Sequence, residues 1–248
     1  MTDETSKTRA VRGEQFEARY LRGRVIDIGC GPDIIVPHAE PFDLDDGDAQ
    51  RIAGLRPNGA YDAVCSSHCL EHMRDVPAAL RQWWLLVRPG GYLILVVPDE
   101  DLYEQGGWPS LFNSDHKATF RLAKKESWSA VSFDIKELVQ DLPGAQIINC
   151  ERQDQGYDYA LRKRSISPRD RLLYRLSNYR TSMFRRLHLS RTALDRAVER
   201  IFRILGTPVD QTAGISLAQI QIIARKAVST EGRGEDAIRE ASVEDTGR

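Results

Sequence analysis

A chain of 248 residues with 41% hydrophobic residues has enough apolar material for one large domain, and no apolar run in it is long enough to span a bilayer. Its four cysteines (Cys30, Cys65, Cys69, Cys150) show neither framework nor CxxC spacing, which excludes a disulfide scaffold and reads as reduced thiols. The formal net charge is only -1, yet thirteen Arg or Lys against three Asp or Glu fall between Leu161 and Leu205, so an acidic body bears one strongly basic segment for which an anionic partner is expected.

In chain order, residues 1–12 are polar and charged with no apolar stretch, read as a flexible arm on a cytoplasmic protein. A short helix is expected over Glu14 to Leu21. Val25-Ile26-Asp27-Ile28 then reads as a strand buried on both faces, running straight into the turn Gly29-Cys30-Gly31. Further strands are expected at Pro41 to Leu44, Tyr61 to Cys65, Tyr92 to Val97, Ala145 to Cys150 and Ala218 to Ala224. Between them, Leu80, Trp83, Trp84 and Val87 recur at helical spacing over Val76 to Val87. Arg88-Pro89-Gly90-Gly91 is the corner from that helix into the next strand. From Pro168 to Leu205 two amphipathic helices are expected, with Ser190 capping the second and Gly206 stopping it, and 229–248 reads as a disordered tail. Strands alternating with helices give an α/β sheet. The chain divides into an arm (1–12), a core (13–160), a basic helical insertion (161–209), the core's final strand (210–228) and the tail (229–248).

A glycine turn beyond the carboxyl end of a buried strand is where a nucleotide-like cofactor binds. A dinucleotide fingerprint needs a third glycine three positions after Gly31, and that position holds Ile34. Asp27-Ile28-Gly29-Cys30-Gly31 instead resembles the first motif of class I S-adenosylmethionine-dependent methyltransferases. Phe42-Asp43-Leu44, Gly47-Asp48-Ala49, Tyr61-Asp62-Ala63-Val64, Leu70-Glu71-His72 and Leu86 to Leu93 resemble that family's later segments in the correct order.

The resemblance implies a Rossmann-like, mostly parallel seven-stranded sheet flanked by helices, with the basic helices inserted before the last strand. It also implies S-adenosyl-L-methionine as cofactor. Gly29 and Gly31 would lie against its methionine part, with Asp27 orienting the turn and the amino group. Asp43 would accept from the ribose hydroxyls and Asp48 from the adenine amino group, with the Ala49 N–H facing the ring. Cys30, Leu44, Ser66 and Glu71 complete the expected contact set. The chain departs from the family in Asp33, where a further glycine is common, and in an interval from Gly31 to Asp43 too short for a full helix.

Methyl transfer to a hydroxyl requires a base within hydrogen-bond reach. His68, Glu71, His72 and His116 are candidates. His72 lies beyond the strand Tyr61 to Cys65, and either it caps a helix or contacts the cofactor edge, or it acts on the acceptor. The Asn113-x-Asp115-His116-Lys117 pattern resembles small methyltransferases encoded with bacterial surface-glycan enzymes. It would set His116 as base beside Asp115 with Lys117 drawing an anionic substrate, or else serve as a structural lid. The Cys65, His68, Cys69, His72 run lacks two separated ligand pairs, so no metal is expected. The expected acceptor is a carbohydrate or lipid-linked saccharide, O-methylated at the inner face of the membrane if the basic helices engage an anionic surface. The rival readings are a membrane- or RNA-associated binding protein that keeps the fold, and an RNA methyltransferase. DNA is disfavoured, since the motifs of base-methylating enzymes are missing.

Overall fold

The computed structural model describes residues 4–186 and 193–228. Ser190 and the 229–248 tail lie outside them. In chain order the elements are α1 (Glu4–Val11), α2 (Gln15–Tyr20), β1 (Val25–Ile28), β2 (Glu40–Phe42), β3 (Tyr61–Ser67), α3 (Val76–Leu86), β4 (Val87–Pro98), β5 (Thr119–Arg121), β6 (Ser132–Asp134), α4 (Ile135–Gln140), β7 (Ala145–Gln153), α5 (Pro168–Arg186), α6 (Ala193–Ile204) and β8 (Gln219–Lys226).

Among the described residues six strands, not seven, form the central sheet, in the order β2-β1-β3-β4-β8-β7. β1 to β4 run parallel, and β8 is antiparallel to both its neighbours. The expected seventh strand has no room. Between β2 and β3 the chain spends its length on a turn closed by the Asp43 carbonyl and a 3-10 helix, Ala49–Gly54. A further parallel strand would need a crossover of about a dozen residues. β5 and β6 pair separately as a two-stranded sheet.

Alternating side chains of β1 enter two apolar layers. Ile26 and Ile28 meet Phe42, Leu80 and Trp83 on the α3 side, while Val25 meets Tyr20, Leu21, Ile35 and Val36 on the other. The short segment after Gly31 thus covers the sheet with loop side chains in place of a helix. α3 starts where Asp75 accepts from the Ala78 N–H at 2.9 Å, with proline in its first turn. β4 begins at Val87, earlier than the sequence indicates. Val87 pairs with Tyr61 and Tyr92 with Ala63, so Arg88–Gly91 forms a bulge inside the strand. Gly90 has φ +78°, whereas Gly91 is needed for close approach, since a Cβ there would stand 2.9 Å from the Asp62 carbonyl oxygen.

Residues 4–11, read from sequence as part of a flexible arm, form the packed helix α1. Thr5 and Thr8 are buried, and Thr8 Oγ1 accepts from Gln219 Nε2 at 2.8 Å. Asp33, the departure from the family's glycine, receives the Ser6 N–H and Oγ–H at 2.6 Å each and so fastens this helix.

α5 and α6 lie between β7 and β8. Tyr174 packs edge-on against Phe112 at 5.4 Å, and Arg171 donates to the Pro109 carbonyl at 2.9 Å. Their expected apolar stripes are only partly covered: Leu172, Leu176, Tyr179, Ile201 and Leu205 are exposed. Among the described residues no helix is long and apolar enough to cross a membrane.

Candidate active site

Ligands of such sheets bind beyond the carboxyl ends of the parallel strands, at the point where strand order reverses. Here that point lies between β1 and β3. A cleft of about 300 Å³ opens there, and Gly29, Asp43, Leu44, Asp48 and Ala49 all line it. Gly29 has φ +72°, and a Cβ on it would overlap the Cys69 side chain at 2.5 Å. Asp43 Oδ2 accepts from the Gly31 N–H and Oδ1 from the Leu44 N–H, both at 2.8 Å, which leaves each oxygen a second lone pair. Asp48 Oδ1 caps the 3-10 helix through the Gln50 N–H at 2.9 Å.

A second cavity, of about 440 Å³, adjoins the first, and His68 and His72 line both. Its wall is drawn from distant segments: Glu4 on α1, Glu71 after β3, Tyr103 after β4, His116, and Asp210 to Ala213 before β8. Two histidines here are buttressed by carboxylates. His72 Nδ1 stands 2.9 Å from Asp115 Oδ2, and His116 Nδ1 stands 2.7 Å from Glu104 Oε1. Tyr103 lies against the His116 ring at 5.2 Å. His68 has φ +54°, an uncommon conformation for a side-chain-bearing residue, and its Nε2 is held by Gln219 Oε1 at 3.0 Å.

Glu71 is fully buried in the middle of this group. Burial pushes its carboxyl up, but His68, His116 and His72 together outweigh burial and hold it below the usual carboxylate range. His68 is affected in the converse way: burial opposes its charge, and Glu71 and Glu4 outweigh burial and raise its pKa.

Several expected residues fall elsewhere. Asp27 is buried on the α2 side of the sheet, where it accepts from the Ile35 N–H at 2.7 Å and fixes the turn. Burial raises its carboxyl to about 6. Ser66 donates to the Ile28 carbonyl at 3.0 Å, and neither it nor Cys30 nor Gly31 lines the cleft. Glu71 lines the second cavity and not the cleft. Asp115 is not beside His116 but on His72. The two neighbours leave a turn in opposite directions, so His116 is buried and Asp115 exposed. Lys117 lines neither cavity, and its ammonium donates to Asp115 Oδ1 at 2.8 Å.

Glu104 and Tyr103 escaped sequence reasoning. They sit on a π-helical turn, Glu100–Glu104, that the buried Asp99 caps through two backbone N–H groups. The only sequence signal was the acidic Asp99-Glu100-Asp101 run after the strand. Phe42, Gly47, Cys69 and Met73 also line the cleft without having been singled out as cofactor contacts.

The cleft suits the cofactor that the resemblance implies. Its described lining carries Asp43, Asp48 and Asp115, with Lys117 on Asp115 and Arg74 on Asp48 outside it; carboxylates facing the cleft suit ribose hydroxyls and an adenine amino group better than a pyrophosphate. Residues 7–141, more than half of the chain, match the family model described as a methyltransferase domain. Among solved structures, a SAM-dependent methyltransferase from Archaeoglobus fulgidus is similar at 15% identity and a TM-score of 0.46, over 91% of this chain and 95% of that one. The YcgJ protein of Bacillus subtilis aligns at 16% identity and 0.45, over 85% and 94%. A phosphoethanolamine N-methyltransferase 2 of Haemonchus contortus in complex with S-adenosyl-L-methionine aligns at 13% and 0.41, over 87% and 53%. No curated protein sequence matches. The chain belongs to the methyltransferase domain family and is a methyltransferase that uses S-adenosylmethionine.

Proposed function

We propose that this methyltransferase acts on a hydroxyl oxygen of a polyhydroxylated acceptor, a carbohydrate or lipid-linked saccharide, held in the second cavity. The observation that carries the reading is the pair of carboxylate-buttressed histidines, His72 with Asp115 at the junction of the two cavities and His116 with Glu104 inside the second. When bound, the cofactor supplies an electrophilic methyl group on a sulfonium. The residues of the chain orient the acceptor and manage its proton. A hydroxyl is a poor nucleophile until that proton leaves, and nitrogen acceptors placed among imidazole rings make its departure easier. With Nδ1 of each ring engaged by a carboxylate, Nε2 is the atom free to act on the acceptor. Asp43 and Asp48 hold the ribose and adenine on the far side of His72, so the acceptor is presented along one line.

An amine acceptor fits less well. Glu4, Glu71 and Asp210 surround the cavity and would hold an amine in its protonated form, which cannot attack. The same carboxylates repel the phosphates of RNA. A screen of saccharides and amines with isotope-labelled methyl donor tests the reading. It predicts a methyl ether on a sugar oxygen, and transfer to amines alone would overturn it.

Association with an anionic membrane surface has its own support. Exposed Leu172, Leu176, Ile201 and Ile204 alternate on α5 and α6 with exposed Arg169, Arg175 and Arg200, an arrangement suited to an acidic lipid interface. Flotation with phosphatidylglycerol vesicles should carry the protein upward at low salt. An equal result with neutral vesicles would remove the charge component.

A further inference from the structure

We propose that Glu71, His72 and His116 form a binding site for a divalent transition-metal ion of the zinc class, with its open positions facing the acceptor cavity. The inference rests on the reading of that cavity given above and deepens it.

Three observations support it. The first is convergence. One ligand atom from each of the three residues lies within 4.8 Å of the other two. Neighbouring ligand atoms on a tetrahedral zinc-class ion with bonds of ~2.1 Å stand ~3.4 Å apart, so the side chains would move inward by about an ångström to close the set. His116 Nε2 already stands 3.9 Å from Glu71 Oε1.

The second is an unpartnered buried carboxylate. Glu71 is 0% exposed, and neither of its oxygens has a hydrogen-bond partner among the described residues. His68 Nδ1, at 3.4 Å from Oε1, is an ion-pair partner outside strict hydrogen-bonding geometry, and Oε2 has no hydrogen-bond partner among the described residues. A buried carboxylate left in this state is costly. A cation between Glu71 and the two rings supplies what the oxygens lack.

The third is the orientation of the rings. Histidines that bind metals direct their second nitrogen to a carboxylate or carbonyl, which fixes the tautomer and raises the basicity of the ligand atom. Both histidines here do so through Nδ1, one to Asp115 and one to Glu104. With the proton on Nδ1, each Nε2 presents a lone pair. Two independent buttresses on adjacent rings, whose centroids are 5.1 Å apart, are more than a general base requires.

Two imidazoles and one carboxylate suit Zn²⁺ or Fe²⁺ better than Mg²⁺ or Ca²⁺, which prefer all-oxygen sets. Three protein ligands leave at least one position open, as in catalytic and not structural sites. With the ion bound, the two Nε2 atoms would hold the metal in place of taking the proton themselves, and an acceptor hydroxyl in the open position would be acidified as water on zinc is and lose its proton to solvent.

The experiment is direct. Untagged protein stripped with a chelator is titrated with Zn²⁺ and, separately, with Co²⁺ as a spectroscopic probe. One equivalent should bind, with visible Co²⁺ absorption showing a nitrogen-containing set. His116→Ala and Glu71→Gln should each abolish saturable binding. Asp115→Asn, on an exposed residue that threatens no packing, should weaken it about 10- to 100-fold. Calorimetry with S-adenosylhomocysteine on every variant confirms an intact fold. Binding no tighter than that of the His72→Ala/His116→Ala double variant would overturn the proposal. If the metal does not bind while saccharide methylation proceeds, the site fails and the proposed function stands. If one equivalent binds and only amines are methylated, the function fails and the site stands.

Discussion

The two cavities differ in how they are built. The donor cleft of about 300 Å³ takes most of its lining from a short run of chain, Gly29 to Ala49, joined by the turn after β3. Its carboxylates sit at the surface and are satisfied by nearby backbone N–H groups, Asp43 by Gly31 and Leu44, Asp48 by Gln50. The acceptor cavity of about 440 Å³ gathers residues from α1, the turn after β3, the π turn, the His116 loop and the segment before β8. Its key carboxylate is buried and, among the described residues, has ion-pair contacts to His68 and His116 in place of well-formed hydrogen bonds. One side is a local structure whose polar groups are settled before a ligand arrives. The other is a long-range assembly that leaves groups unsatisfied where an acceptor must be handled, as functional sites often do.

This contrast breaks most visibly at His116. His116→Ala should lower kcat by roughly 10²- to 10⁴-fold, while S-adenosylhomocysteine affinity stays near its wild-type value in calorimetry. A parallel loss of affinity would mean that the two cavities are one site. Asp43→Ala should do the reverse. Removing a carboxylate that makes charge-assisted bonds costs about 1.5–3 kcal/mol, or roughly 10- to 100-fold in cofactor affinity. Turnover at saturating cofactor should change far less.

The same difference in construction decides what could be read from residues alone. Gly29, Asp43, Leu44, Asp48 and Ala49 were recognisable because a cofactor held by one β-turn-β unit leaves a contiguous pattern. His116 and His72 were visible as chemistry but not as partners. Their buttresses, Glu104 and Asp115, depend on which way each side chain leaves a turn, and adjacent residues leave in opposite senses. The shortened interval before Asp43 was readable as the loss of a helix. The missing strand before Tyr61 was readable too, since the residues themselves offer six strands and only the family resemblance adds a seventh, where the 3-10 helix Ala49–Gly54 forms instead. α1 was misread because its sequence is polar, and it is held by Asp33 and Gln219 from far along the chain.

The two buried carboxylates give the comparison a pH signature. Asp27, behind the donor cleft, has its pKa raised to about 6, chiefly by burial. The folded state therefore holds this proton more tightly than the unfolded chain, and ionising Asp27 lowers stability as pH climbs from about 4 to about 6. Asp27→Asn, which keeps an acceptor for the Ile35 N–H, should raise the unfolding free energy at pH 7 by on the order of 2 kcal/mol. The gain should vanish near pH 4. Denaturant titrations across that range check it, and a gain independent of pH would mean that the charge of Asp27 is not what costs stability. Glu71 is displaced in the opposite direction, so its contribution is present above the ordinary glutamate range and is lost as pH falls through its lowered folded value.

The smallest effect sharpens the boundary between the cavities. Asp33 sits in the glycine turn of the donor side, yet its carboxylate holds Ser6 of α1, the helix that contributes Glu4 to the acceptor wall. Losing a bond of this capping kind costs about 1 kcal/mol. In Asp33→Ala that cost falls on α1 and not on the sheet. Hydrogen exchange of residues 4–11 should therefore rise several-fold, by about the 5-fold that 1 kcal/mol represents, with the exchange of β1 and β3 unaltered. The acceptor KM should increase with α1's opening, and S-adenosylhomocysteine affinity should stay constant. If Asp33→Ala instead weakened cofactor binding as Asp43→Ala does, the turn would be serving the donor cleft directly, and α1 would be a wall held by its other contacts, those of Lys7, Thr8 and Arg9.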